Sequence, residues 1–566
     1  MKVTRRRFMG GCAALAATPG YGFSASAATG SPSTDGRAPM HRCLFLDDYH
    51  IDRAEGLEVR GHPAKPYAGN PLFVKKYPWE HGAIYLYGRS IVYNPQRKLY
   101  QMYYLAQPGR NQWPNLRVGG VTKVGFVTLP AYAESTDGIH WERPLRKDVA
   151  FENIAETNLL DLHSGQSFEP SVIWDGHDPD PNRRYKAFIW DQNFQLPSAG
   201  KLGYRMGAPS AAFPYGMVFT NLTDAAGKIV YEEPYNDYGM RVAFSPDGIH
   251  WKKHQGWVFP CYSDTGQSVF YDSRCGNYIA FGRFNQIQSL GELYHRGADV
   301  HGDDPSTLAR RRDGISNFYV GRNVARVESA DFIHWNEPEL VLAGDSHDPE
   351  SFQINDMPMD FYEGLYIGIM VVDVRPLPRS GRPTQMAVSR DGRFWTRVAN
   401  RGPITALDQT YLYSGEERPS KAWDAGGSRP ATGLFVHEGE VRMYYSADNR
   451  EGLGVGMVTW RRDGFVSLHA GGEGGELLTR AFVPTSPKLH LNIDASEGEA
   501  TVRVCDFQGQ PLKGWKIGEA SEVIRGDQLD TRVRWADSDF DQRVGKATTL
   551  RIRMRNADLY SFWTAY

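Results

Sequence analysis

Carboxylates that stand just ahead of an apolar strand, often beside a proline or an aromatic ring, recur at five places in this sequence. They are Glu80 in Pro78-Trp79-Glu80-His81, Glu169 in Phe168-Glu169-Pro170, Asp264 in Asp264-Thr265-Gly266-Gln267, Asp348 and Glu350 in His347-Asp348-Pro349-Glu350, and Glu416 with Glu417 before Arg418. Two carboxyl groups placed across a glycosidic bond can cleave it. One, protonated, releases the leaving oxygen, while the other, ionised, attacks the anomeric carbon or activates water. Glu169 and Glu350 are the leading catalytic candidates because each lies within a residue or two of a strand start with Pro as a neighbour, and Asp264 is the third. The plainer alternative for each is a solvated loop carboxylate or a turn cap.

A set of substrate contacts is expected around them. Trp79 and Tyr85 could stack on a sugar ring, as could Tyr87, Trp190 and Tyr411, although packing between sheets uses the same residues. Glu80, Arg89, His163, Asp348 and Glu417 complete the expected set. His81, His163 and His347 fall at similar positions, but their spacing follows no ligand pattern, so a hydrogen-bonding role is expected and no metal site. No cofactor is expected either, with a structural or axial divalent cation left open.

What must position these groups is legible as a repeat. Ser135-Thr136-Asp137-Gly138-Ile139-His140-Trp141 returns as Ser245 to Trp251, as Ser329 to Trp335 and as Ser389 to Trp395, with a degenerate copy from Trp460 to Phe465. Asp-Gly suits a tight hairpin turn, Ser and Asp side chains can satisfy its amides, and the Trp can close the apolar layer between neighbouring sheets. His140, His250 and His334 belong to that turn and are expected to be structural. A second phrase alternates with the first: a pair of aromatic strands around a polar turn, near residues 85–105, 167–190, 265–283, 350–370 and 430–447. Two hairpins repeated five times give twenty strands, the number required by a five-bladed β-propeller. The fold class is therefore all-β: a propeller over 40–465, followed by a β-sandwich over 466–566. The acidic pair Asp47-Asp48 is expected on the strand that closes the ring against the last blade, facing solvent.

Composition agrees and sets limits. Aromatic residues make up 13%, with 59 Gly and 34 Pro, as in short strands joined by tight turns. The 64 basic and 66 acidic residues nearly balance, giving no field that would gather nucleic acid or anionic lipid. No stretch approaches the ~20 apolar residues of a membrane helix. Arg5-Arg6-Arg7 ahead of a mild apolar run, with Ala25-Ser26-Ala27 after it, resembles a twin-arginine export signal over 1–28 and implies a periplasmic or secreted protein. Cys261 and Cys275 could form a disulfide after export or stay as free thiols, and oligomeric state is not encoded in any visible motif.

In organisation the chain resembles the five-bladed propeller glycosidases of glycoside hydrolase families 32 and 43, the first of which carries a C-terminal β-sandwich. Phe168-Glu169-Pro170-Ser171-Val172-Ile173-Trp174 is similar to the Arg-Asp-Pro phrase of family 32, with Glu169 in the place of the aspartate and without the arginine. The first and third blades lack the carboxylates of that family's other two phrases. The resemblance implies a divergent member, an exported glycoside hydrolase acting on oligo- or polysaccharide through paired carboxyl groups at the propeller axis. Two other expectations compete: a polysaccharide lyase using a His or Tyr base beside Arg89, His163 and Arg283, and a glycan-binding protein without catalysis.

Overall fold

The computed structural model describes residues 41–566 apart from 87, 109–115, 124–127, 163–165, 168–169, 193–200, 207–217, 224–228, 236–237, 260–262, 264, 284–321, 349–351, 375–383, 403–423, 425–427, 432, 448–453, 515, 537 and 539. The expected export signal lies outside these residues.

Short strands rich in Val, Ile, Tyr and Phe assemble into five antiparallel sheets that succeed one another along the chain. The second blade shows the pattern in full: inner strand Ser171–Trp174, then Tyr185–Gln192, Tyr238–Ser245 and the outer Lys252–Lys253. Ser268–Asp272, Asn277–Gly282, Val324–Ser329 and Glu339–Leu342 form the third. In the fourth, Phe352–Asp356 and Met359–Tyr362 share the inner position ahead of Leu365–Val374, Thr384–Ser389 and Trp395–Arg397. The first blade has Ala83–Tyr85 and Ile91–Asn94 inside, then Leu99–Gln107 and Leu129–Ser135, with bridges from Ala131 to Leu159 and from Glu134 to Glu142 at its outer edge.

The ring closes by a different segment from the expected one. The fifth blade runs from Phe435–His437 through Glu440–Ala447 to Gly454–Arg461, and its outer edge is supplied by Lys65–Pro66 and Phe73–Val74 from the other end of the chain. Residues 44–49 do not pair with this blade. Cys43–Leu44 pairs with Ser561 and Phe562, and Ile51–Glu55 and Leu57–Gly61 pair with Gly475–Thr479 and Val466–Ala470, all in the C-terminal sheet. Asp47 does not face solvent freely but pairs with Arg390 of the fourth blade at 2.8 Å. Alternation of apolar residues shows that a segment is a strand, but several sheets can accept such a strand, and this one completes the C-terminal sheet.

That sheet has nine strands. Its long strand Lys488–Cys505 pairs through its first half with Ala557–Ala565 and through its second with Thr549–Arg555, and its register against Ile524–Arg532 breaks between Ala495 and Ala500. Leu489, Leu491 and Ile493 from the first half and Val502 and Val504 from the second enter one core with Leu550, Ile552, Leu559 and Phe562. Both halves of this sheet thus face one shared core. Asp463, in the degenerate fifth turn, ties the two domains: its buried carboxylate accepts from Arg42 (2.9 Å), Tyr362 (2.6 Å) and Ser561 (2.6 Å).

The recurring Trp phrase is the latch between blades. In the second blade Ser245 Oγ accepts from the Gly248 amide, Asp247 Oδ1 accepts from the amides of Ile249 and His250, and Trp251 Nε1 donates to the Gly248 carbonyl. Each Trp then packs edge-on or tilted against a ring of the preceding blade: Trp141 on Tyr444, Trp251 on Tyr103, Trp335 on Phe188 and Trp395 on Phe281. Phe465 of the degenerate copy meets Tyr362 in the same way. Such ring pairs add about 0.5–1.5 kcal/mol each beyond the area they bury.

A cation is also built in covalently. The Lys186 ammonium is fully buried and sits 2.7 Å from Asp175, 2.9 Å from Asp178 and 2.8 Å from the Arg183 carbonyl. Burial alone would raise the Asp175 carboxyl, but Lys186 and the Tyr278 hydroxyl outweigh it and hold the group below the usual carboxylate range. No group of three or more His, Cys, Asp or Glu that could hold a metal occurs among the described residues, and none of their helices is long and apolar enough to cross a membrane.

The latch gives a direct test. Gly248 has φ +82°, and a Cβ there would sit 2.3 Å from Tyr103 Oη, whereas Gly256 has φ +75° with open space around it. Gly256→Ala should cost about 1 kcal/mol from backbone strain alone. Gly248→Ala should cost clearly more in denaturant unfolding, and equal costs would show that the turn does not bear on the preceding blade.

Candidate active site

The inner strands meet at the axis through side chains as well as backbone. Ser171 Oγ of the second blade accepts from the Val269 amide of the third, and Ser268 Oγ of the third accepts from the Met359 amide of the fourth, both at 2.9 Å. Asp360 Oδ2 of the fourth accepts from the Leu434 amide of the fifth at 2.6 Å, and Ser446 Oγ of the fifth accepts from the Leu86 amide of the first at 3.1 Å. The Arg89 carbonyl accepts from the Val172 amide and completes the circuit.

Arg89 also reaches across this ring. Its amide donates to the Gln267 carbonyl of the third blade at 3.0 Å, its guanidinium lies over the Phe270 ring, and Nη1 pairs with Asp360 Oδ1 at 2.7 Å. Gly88 allows that approach: with φ +54°, its position would put a Cβ 2.1 Å from the Gln267 carbonyl oxygen. Arg89, expected to contact substrate, therefore joins the first, third and fourth blades.

A small cavity of about 10 Å³, room for about one water molecule, lies between the third and fourth blades. Thr265, Gly282, Arg283, Asn323, Asp356 and Met357 line it, from the residues flanking four strands. Arg283 donates to the Asn355 carbonyl at 3.0 Å, and Arg322 donates to the Asn355 side-chain oxygen. Asp356 is 4% exposed and both arginines 5%. Beside the cavity, Gln267 donates through Nε2 to Ser263 Oγ and to the Thr265 carbonyl, and its buried Oε1 has no hydrogen-bond partner among the described residues. On the second blade Arg241 pairs with the buried Asp191 at 3.2 Å.

The lining of this cavity mixes donors with acceptors. Carboxylate and amide oxygens accept from hydroxyls, guanidinium and amide groups donate to ring and hydroxyl oxygens, and a dry setting strengthens both.

Of the residues expected from sequence, Glu169, Asp264, Glu350, His163 and Glu417 lie outside the described residues. Their chain neighbours are placed: Ser263 and Thr265 flank Asp264 and are buried, Pro170 and Ser171 follow Glu169, and Phe352 begins a strand two residues after Glu350. Tyr85 ends an inner strand, half-buried, its hydroxyl 3.4 Å from Gln107 Oε1.

Three others sit in structural roles. Glu80 is fully buried in the short turn Pro78–Glu80, where its carboxylate accepts from the amides of Lys76 and Tyr77, from Tyr104 Oη at 2.5 Å and from Arg143 at 2.9 Å. Trp79 is 1% exposed, stacked on Tyr77 and bonded through Nε1 to Asn158, so neither face is open to a sugar. Asp348 is held by Arg397 and Arg401 of the fourth blade, and Arg397 itself lies over the ring of Phe352 at the start of an inner strand. Asp356, Asp360, Arg322 and Gln267 were not singled out in the sequence. A polar residue breaking an apolar strand, as Asp360 does after Met359, is the signal that could have found them.

No protein-family model and no curated protein matches the chain. Among solved structures, a fructofuranosidase from Schwanniomyces occidentalis complexed with fructose is 10% identical, with 89% of this chain and 97% of that one covered and a TM-score of 0.37. The Bombyx mori family 32 β-fructofuranosidase is 9% identical over 92% of this chain and 95% of that one, with a TM-score of 0.32. An N-acetylgalactosamine deacetylase from F. plautii in complex with blood group B trisaccharide is 15% identical over 76% and 96%, with a TM-score of 0.32. At these scores none of them assigns a role to a residue of this chain.

The axial clasp predicts a coupling. Asp360→Ala leaves the Arg89 guanidinium without its ion pair and should cost about 3 kcal/mol of stability in denaturant unfolding, while Arg89→Met with Asp360→Leu recovers much of the loss. Strictly additive losses would mean that the two groups act independently.

Proposed function

We propose that the protein is an exported glycoside hydrolase that cleaves a glycosidic bond at the axial mouth of the propeller by paired carboxyl groups. The observation that carries the proposal is the recurrence of carboxylates just ahead of the inner strands of a five-bladed propeller. The small cavity between the third and fourth blades adds polar groups close to these strands, among them Asp356, Arg283 and Asn323. The sequence adds Glu169, Asp264 and Glu350, each within a few residues of an inner strand.

In this reading Glu169 and Glu350 divide the work. One, protonated, gives its proton to the glycosidic oxygen as the bond to the anomeric carbon breaks. The other, ionised, attacks that carbon or takes a proton from the attacking water. A separation of roughly 5 Å between the two would give retention, and roughly 6.5–9.5 Å inversion. Asp264 and Asp356 accept from sugar hydroxyls, and Tyr85 offers its ring. No cofactor enters the reaction. Arg5-Arg6-Arg7 with Ala25-Ser26-Ala27 supports export by the twin-arginine route to the periplasm or beyond.

The two arginines on Asn355 favour one second reading, a lyase in which they neutralise a uronate while a base removes the proton at C5. The test for both is incubation of the mature protein with plant, algal and bacterial polysaccharides, reading new reducing ends and ultraviolet absorbance together. Hydrolysis predicts reducing ends without absorbance, reduced at least about a hundredfold in Glu169→Gln or Glu350→Gln. Absorbance would replace the hydrolase with the lyase, and binding without either product would remove both.

A further inference from the structure

We infer that the outer face of the C-terminal sheet is a docking surface for an anionic polysaccharide, a polymer of carboxylated or sulfated sugars. The inference does not rest on the proposed hydrolase, since it concerns binding on the other domain. Strand Thr549–Arg555 alternates strictly: Leu550, Ile552 and Met554 enter the core, while Arg551, Arg553 and Arg555 belong to the opposite face. Neighbouring strands bring more of the same charge. Arg503 stands directly opposite Arg551, Arg53 lies beyond Leu478 in the same row, and Arg525 pairs with Glu499, which stands opposite Arg555. Against these arginines stand Glu55, Glu476 and Glu499. The whole chain carries 64 basic and 66 acidic residues, so the positive excess is local to this face.

This arrangement works against the stability of the sheet. Like charges directly opposite one another weaken a strand pair, yet Arg503 and Arg551 are register partners. Glu476 answers part of the charge, 2.6 Å from Arg553 and 3.3 Å from Arg551, and Glu499 lies 3.2 Å from Arg555. Arg503 has no hydrogen bond or ion pair among the described residues, and the buried Arg551 Nε has no partner among them. Arg553 and Arg555 are 59% and 57% exposed, and each engages its carboxylate through a single nitrogen. Exposed pairs of this kind hold weakly, so an incoming anion can share the remaining donors of each fork.

The spacing and the mixture of groups choose the occupant. Arginines at alternate positions of one strand lie about 6.8 Å apart and those on neighbouring strands about 4.8 Å, a repeating array that suits an extended polymer with spaced charges. The planar guanidinium forks match carboxylate and sulfate oxygens. Glu476, Glu499 and Thr501, set among them, accept from the hydroxyls of a glycan, whereas the unbroken phosphate charge of a nucleic acid or the headgroups of an anionic bilayer would be repelled by the two carboxylates.

The experiment varies the polymer first, which avoids any question of folding. Calorimetric titration of the full mature chain at low salt with polygalacturonate, dextran sulfate and neutral dextran should show binding of an anionic polymer and none of dextran, with affinity falling as added salt screens the exposed charges. Polygalacturonate against dextran sulfate decides between carboxylate and sulfate. Arg553→Gln combined with Arg555→Gln, with folding checked by circular dichroism, should weaken binding about tenfold. Lys147→Gln combined with Lys252→Gln removes the same charge from exposed positions of the propeller and should leave binding within about twofold. Failure of both anionic polymers to bind, an arginine variant no weaker than the lysine variant, or tighter binding of duplex DNA or phosphatidylserine vesicles than of either polysaccharide overturns the inference.

Discussion

At the axis the first blade crosses toward the third so closely that no side chain fits at position 88, and Arg89 continues the crossing to Asp360 of the fourth. The other features near the axis follow from that contact. Five sheets can converge only if their inner strands satisfy one another's polar groups, since buried backbone amides cannot be left unpaired. Ser171, Ser268, Asp360 and Ser446 do this in turn, each accepting from the amide of an adjacent blade. The pocket lies beside this circuit, walled by residues of the third and fourth blades, and Gln267 belongs to both, with its carbonyl on Arg89 and its side chain next to Thr265.

The same logic explains how a ring with few repeated residues is held. A polar turn, its Ser and Asp side chains closing on local amides, fixes the Trp that follows, and the Trp packs on the blade before it. Where Gly is absent from the turn, as at Phe332 with φ +69°, the backbone strain is accepted in exchange for a ring that is fully buried between the second and third blades. At the fifth position the turn has lost its Ser, and Asp463 has become the junction between the propeller and the C-terminal sheet.

What was legible in the sequence was what is local. The hairpin phrase is written within seven residues, because Asp247 and Ser245 bond amides two or three positions on, so its copies marked the blades. Ring closure was not legible, because the residues at 65–74 that pair with Gly454 to Thr459 are distant in the chain and too short to show alternation. The site was legible only in part. Glu80 looked like a mouth carboxylate, yet a three-residue turn folds it back on the amides of Lys76 and Tyr77, a contact within four positions that competes with any outward pose. Arg283, Arg322 and Asn355 come together across two blades, and no spacing in one strand announces that meeting.

The central claim is that the sugar binds at the axial wall shared by the third and fourth blades. Its most direct test is a crystal structure of the Glu350→Gln variant soaked with uronate-containing oligosaccharides. The account predicts a sugar ring at the axial mouth, beside the starts of the inner strands at Ser268 and Phe352. A ring bound only on the C-terminal sheet would contradict it.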